Sequence, residues 1–217
     1  MTAGRVVPAL ALAVVGACLQ PTWSEIPAGA PPGDGTIAVI GELTLIPPVE
    51  QQSAGAPRVV MVGAARDRMY GVFTTDLKRP FGPDLWQDAS AHYSVYIPFE
   101  GPFFVAIPRQ SWRLYLRGVV AMTNRGLTGI EVPVQIAIRP EDQVVYIGHV
   151  YAQRTSPRWT QVRQEEPAAR QAARAIGHAL ATRPWTVQLA RPLDDSAYPA
   201  TSDKVFTPAP LQAPADR

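Results

Sequence analysis

From residue 36 to residue 152, apolar and polar side chains alternate with the two-residue period of strands half-buried in a sheet. TIAVIGELTLI (36–46) puts Ile37, Val39, Leu43 and Leu45 on one parity. SWRLYLRGVV (111–120) is the cleanest case: Trp112, Leu114 and Leu116 point one way, and Arg113, Tyr115 and Arg117 the other. IEVPVQIAI (130–138) predicts an inner row of Ile130, Val132, Val134, Ile136 and Ile138. Pro133 falls on the outer parity, which suits an edge strand or a bulge. PRVVMVGA (57–64), MYGVFTTD (69–76), HYSVYIPF (92–99), FFVAIP (103–108) and QVVYIGHVYA (143–152) supply further strands. Gly148, inside the last of these, marks a bulge or a close approach of backbone. Around eight such segments with turn residues between them predict an antiparallel β-sandwich, because one flat sheet would leave its apolar face uncovered.

Beyond residue 160 the period lengthens. EEPAARQAARAIGHALATRP carries Ala169, Ala172, Ala173, Ile176 and Leu180 at helical spacing. Glu165 and Glu166 sit where the helix dipole favours negative charge, Pro167 fits the first turn, and Arg183 and Pro184 mark the end. The alanine face predicts a helix lying close against an outer face or edge of the sandwich. WTVQLARPL (185–193) reads as a final strand or extended segment. The expected fold is therefore mainly β, a sandwich with one C-terminal α-helix.

Both flanks differ from this core. Residues 19–35 are rich in Pro, Gly and Ala without apolar period, and 18–35 is expected to be a flexible tether. Residues 194–217 lack the apolar surface that would offset their ordering entropy and are expected to be a disordered tail. The sandwich is then assigned to 36–160, and the helix with its final extended segment to 161–193.

The first 17 residues have another character. Arg5 precedes an apolar run of 12 residues, Val6 to Ala17. As a helix it would span about 18 Å, short of the ~30 Å hydrocarbon core. It reads as an export signal over 1–17. Removal of residues 1–17 from the 217-residue chain leaves 200 residues, with 19 Lys+Arg against 18 Asp+Glu. Such a balance offers no electrostatic argument for nucleic acid as a partner. Cys18 is the single cysteine, so no internal disulfide is available to an exported domain.

Gly16 and Ala17 immediately precede Cys18, and VGAC (15–18) resembles the lipobox of bacterial lipoproteins. That resemblance implies a diacylglyceryl thioether on Cys18, cleavage before it and acylation of the freed amine. The other reading is an ordinary signal peptide cleaved near Ala28–Ala30, but Ala30 lies far beyond the end of the apolar run. Several acyl chains hold a protein on a bilayer where one alone binds marginally. Leu19, where aspartate often signals inner-membrane retention, leans toward the outer membrane facing the periplasm. The order FFVAIP, SWRLYLRG, VVYIGHV resembles prealbumin-like, or carboxypeptidase-regulatory-like, sandwiches over 36–155. Lipoproteins of type VI secretion systems, which join a lipobox to such a sandwich and a helix, are an analogue at the level of architecture.

No catalytic, cofactor-binding or metal-binding constellation emerges from the sequence. It holds no G-x-S-x-G, no H-E-x-x-H and no glycine-rich phosphate loop. His149 on a strand and His178 on the helix read as structural residues. Arg113, Tyr115 and Arg117 are the candidate partner-binding face, since arginine and tyrosine pair with anions and stack; an ordinary solvated strand face has the same pattern. The expected function is a non-catalytic, lipid-anchored envelope module that binds the membrane through Cys18 and presents edges or loops to an envelope protein. The alternative is a lipid-anchored periplasmic hydrolase acting on envelope material, which requires His92 or His149 to converge with Asp76, Asp88 or a serine in one cleft.

Overall fold

The computed structural model describes residues 23–49, 68–78, 81–82, 85, 88, 90–123, 126–193 and 204–206. Cys18, the leader, the PRVVMVGA run and most of the expected tail lie outside the described residues.

Two mainly antiparallel sheets pack face to face. The first comprises β1 (Ser24–Glu25), β5 (Pro102–Pro108), β2 (Thr36–Ile46), β8 (Val144–Gln153) and β10 (Thr186–Val187), in that order, with β9 (Trp159–Arg163) also on β8. The second runs β11 (Arg191–Pro192), β7 (Gly126–Ile138), β6 (Trp112–Thr123), β3 (Arg68–Thr74) and β4 (Tyr93–Pro98), with β12 (Lys204–Phe206) also on β7. Within the first sheet β8 is parallel to both β2 and β10. The expected alternation accounts for the core. Ile37, Val39, Leu43 and Leu45 face Leu114, Leu116, Ile130, Val132, Val134 and Ile136 in one continuous cluster. Burying a large aliphatic side chain contributes roughly 1.5–3 kcal/mol, so these rows dominate the stability.

The helix α1 (Glu166–Ala175) packs outside the first sheet. Ala169 and Ala173 are fully buried with Ala38, Ile40, Phe104 and Tyr146. It is shorter than its apolar period implies. Gly177 takes φ +68 and ends it, leaving Ile176 58% exposed instead of on the buried face. His178 then caps a short 3-10 helix, Ala179–Thr182, by accepting from the Leu180 N–H, and this turn brings Leu180 into the cluster. Arg170 fastens the two helical pieces together. Its guanidinium pairs with Glu166 at 2.5 Å, donates to the carbonyls of Ala181 and Arg183, and lies 4.1 Å from the centre of the Trp185 ring.

Two expectations about the flanks are corrected. The stretch assigned to a tether is part of the fold from Trp23 onward. Trp23 is buried and stacks on Tyr93 at 4.8 Å, β1 pairs with β5, and buried Ile26 donates its N–H to the Phe104 carbonyl. The aromatic ring and the isoleucine supply the apolar surface that a Pro/Gly count overlooks. In the C-terminal stretch, Lys204–Phe206 pairs with Leu127–Gly129 of β7, because that strand still offers backbone donors and acceptors there.

Candidate functional site

Gly148 sets the geometry of a polar cluster on the outer face of the first sheet. Between Ile40 and Glu42 the register of β2 against β8 slips by one residue. Gly148, at φ +98, occupies the bulge, and a Cβ there would come within 2.6 Å of Val162 Cγ1. Upstream of it Val145 and Ile147 face the core; downstream Val150 and Ala152 do. The bulge thus moves His149 from the inward to the outward row, beside Glu42 and Thr44 of β2 and near Tyr146 and Tyr151.

His149 Nδ1 donates to Glu165 Oε2 at 3.0 Å, while Nε2 pairs with Thr44 Oγ1 at 2.8 Å. Tyr151 stacks on the imidazole at 4.2 Å and donates its hydroxyl to the same Glu165 oxygen at 2.9 Å. Tyr146 donates to Glu42 Oε1 at 3.2 Å, and Glu42 Oε2 lies 3.9 Å from His149 Nδ1. Burial pushes the Glu42 carboxyl above its usual range, with His149 and the Tyr146 hydroxyl acting against that rise and Glu165 adding to it. Burial first, and then the Glu42 charge, hold the Tyr146 phenol protonated well above its ordinary titration. Tyr151 is also raised, by burial and then by Glu165.

Both imidazole nitrogens are engaged, so the arrangement joins the sheet to the residue just before α1 and projects no free base into solvent. Among the described residues no group of three or more His, Cys, Asp or Glu side chains is arranged to hold a metal ion.

The remaining histidines are accounted for by packing. His178 stacks on Phe104 at 3.8 Å, with Nε2 against the Ile26 carbonyl. His92 Nε2 does meet a serine, Ser94 Oγ, at 2.9 Å, but Ser94 is fully buried and Nδ1 faces the Asp88 backbone carbonyl instead of a carboxylate. Burial holds the His92 imidazole below its usual pKa. The Asp76 and Asp88 carboxylates accept from the Lys78 and Ser90 N–H groups of their own turns.

The Arg113–Tyr115–Arg117 row is not an exposed face. Arg113 is exposed, but Tyr115 is 9% exposed and Arg117 is fully buried. A bulge between Leu116 and Gly118 displaces the strand there. Phe81 and Leu85 cover the adjoining outer face of β3 and β6, and the Arg117 guanidinium donates to the Leu77 carbonyl. The basic surface lies elsewhere. Arg113 stands opposite Ala137 of β7, and Ala137 borders a cleft of about 370 Å³ shared with Gln135, Arg139, Gln188, Leu189 and Arg191.

That cleft forms where residues 187–191 cross from the first sheet to the second. Gln188 and Ala190 bond to the backbone of β8, while Arg191 pairs with Gln135. Sequence reading missed both Arg139, just past the end of β7, and Arg191, the first residue of β11. It also missed the convergence on His149, although the glycine before that histidine signalled the bulge.

No family model, curated protein or solved structure matches this chain.

Proposed function

We propose that this chain is a lipid-anchored protein of the cell envelope, a non-catalytic binding or structural module on a prealbumin-like sandwich, held through Cys18 at the outer membrane and facing the periplasm. The observation that carries this reading is the lipobox-like VGAC ending at Cys18, a few residues ahead of the fold. Buried Trp23 follows Cys18 with only residues 19–22 between them, a reach of at most about 18 Å. A lipid on Cys18 therefore brings the sandwich against the bilayer and not to the end of a long leash. The lipobox supplies the anchor, and the sandwich supplies the rigid body. Among the described residues no helix is long and apolar enough to cross a membrane.

Fractionation of cells expressing the wild-type chain and a variant in which residues 1–18 are replaced by an ordinary cleavable export signal without cysteine tests the reading. The wild type partitions with membranes and is released by detergent, whereas the variant appears in the soluble fraction. Equal membrane association of both would remove the lipid from the account. Mild-detergent capture should then recover a reproducible envelope partner; a capture that never differs from the control would argue against a binding role.

A further inference from the structure

The cleft of Arg139 and Arg191 has a chemistry and a position that together define a ligand. Its border carries two guanidinium groups, the amides of Gln135 and Gln188, and apolar Ala137, Val187 and Leu189, with no carboxylate among the described residues that line it. The Asp142 carboxylate accepts from the Gln188 amide and from the Arg139 backbone N–H. Arg139 and Arg191 are exposed, and neither guanidinium is engaged by a carboxylate among the described residues. Guanidinium groups present paired donors that match phosphate oxygens, and the amide donor of Gln135 extends such a set.

Position supplies the source of the phosphate. Trp23, the described residue nearest Cys18 in the chain, lies 6.3 Å from the Trp112 ring, and Arg113 is the next residue. Arg113 is opposite Ala137, two residues before Arg139; Arg191 is opposite Gln135. Trp23 sits at the end of the sandwich marked by Pro108, Trp112 and Ile138; at about 3.3 Å per residue along the strands, Arg113, Arg139 and Arg191 lie within roughly 10 Å of that same end, with β11 at the edge opposite β1. Three exposed arginines thus stand at the end of the sandwich that a lipid on Cys18 would hold at the bilayer.

We propose that this cleft, with Arg113 beside it, binds the phosphate groups of anionic phospholipids and so fixes the orientation of the sandwich on the membrane. The inference rests on the envelope reading above, and its test does not require the lipid. Purified protein of the cysteine-free variant is titrated with phosphatidylcholine vesicles, with and without phosphatidylglycerol, and separately with inorganic phosphate. Each arginine near an anionic surface contributes about fivefold in binding. Arg139→Ala/Arg191→Ala should therefore weaken binding to phosphatidylglycerol vesicles by about 25-fold. The charge-matched Arg174→Ala/Arg183→Ala, in the helical segment, should leave it within about threefold.

Equal losses in the two variants would reduce the effect to net charge and overturn the site. Binding no better with phosphatidylglycerol than without it would also overturn it. Saturable binding of inorganic phosphate that displaces the vesicles would reassign the cleft to a soluble phosphate. Circular dichroism of both variants establishes that they are folded. An unmodified Cys18 in native protein would defeat the anchor alone, because the vesicle titration stands without it.

Discussion

His149 Nδ1 and Glu165 Oε2 are 3.0 Å apart, and this contact binds strand β8 to the residue that precedes α1. It exists because the Gly148 bulge rotates His149 out of the core. Tyr151 reinforces it by donating to the same oxygen. The side chains are 14% and 31% exposed, so solvent weakens the pair without eliminating it. A double-mutant cycle of His149→Ala and Glu165→Ala, followed by urea unfolding, should return a coupling of about 1 kcal/mol. Strict additivity would mean that the two groups merely sit side by side.

Replacing Gly148 by alanine should destabilise the protein by about 2–3 kcal/mol, since a side chain is strained at φ +98 and would press on Val162. Gly33, around which a Cβ has open space, is the reference: Gly33→Ala should be near neutral. If the urea midpoints of the two variants coincide, the bulge does not hold the register as described.

The sandwich core was legible because period 2 holds over long runs between the bulges, and it named the inner residues of β2, of β6 up to Leu116 and of β7 correctly. Three features were not legible, each for a physical reason. Alternation reports which side of a strand a residue takes, but not whether another segment covers that side. Arg117 is therefore on the expected parity for an outer residue and yet buried, with its guanidinium donating to the Leu77 carbonyl. A Pro/Gly-rich stretch reads as linker, although one tryptophan and one isoleucine were enough to dock residues 23–26. Bulges also shift parity midway along a strand, so Glu42, His149 and Glu165, far apart in sequence, could not be brought together by counting. The two histidines read as structural at 149 and 178 do have packing and hydrogen-bond partners.

Docking of residues 23–26 has a direct consequence for boundaries. A chain beginning at residue 36 loses β1, Trp23 and Ile26, whereas one beginning at residue 19 keeps them. Trp23→Ala alone should cost about 3–5 kcal/mol. Thermal unfolding of the two truncated chains would decide the matter. Equal melting temperatures would restore the tether to residue 35.

Two buried groups make stability pH-dependent in opposite senses. The His92 pKa is lowered in the folded state, so its contribution is complete above pH 6.5 and is lost as pH falls through the window below that value. The Glu42 pKa is raised, so its contribution is complete below pH 4.5 and is lost as pH rises through the folded value. Glu42→Gln should therefore gain on the wild type as pH rises from 4 to 7, and His92→Gln should flatten the loss of stability below pH 6.5. Denaturant midpoints across that range measure both. Parallel pH profiles for wild type and Glu42→Gln would refute the raised carboxyl.

The envelope reading turns on the chemistry of one sulfur atom. Mass spectrometry of the N-terminal peptide from native, membrane-extracted protein measures it directly. The account predicts a chain that begins at Cys18 and carries a diacylglyceryl thioether with an acylated amine. A free Cys18 thiol, or a chain whose first residue lies downstream of position 18, would contradict it.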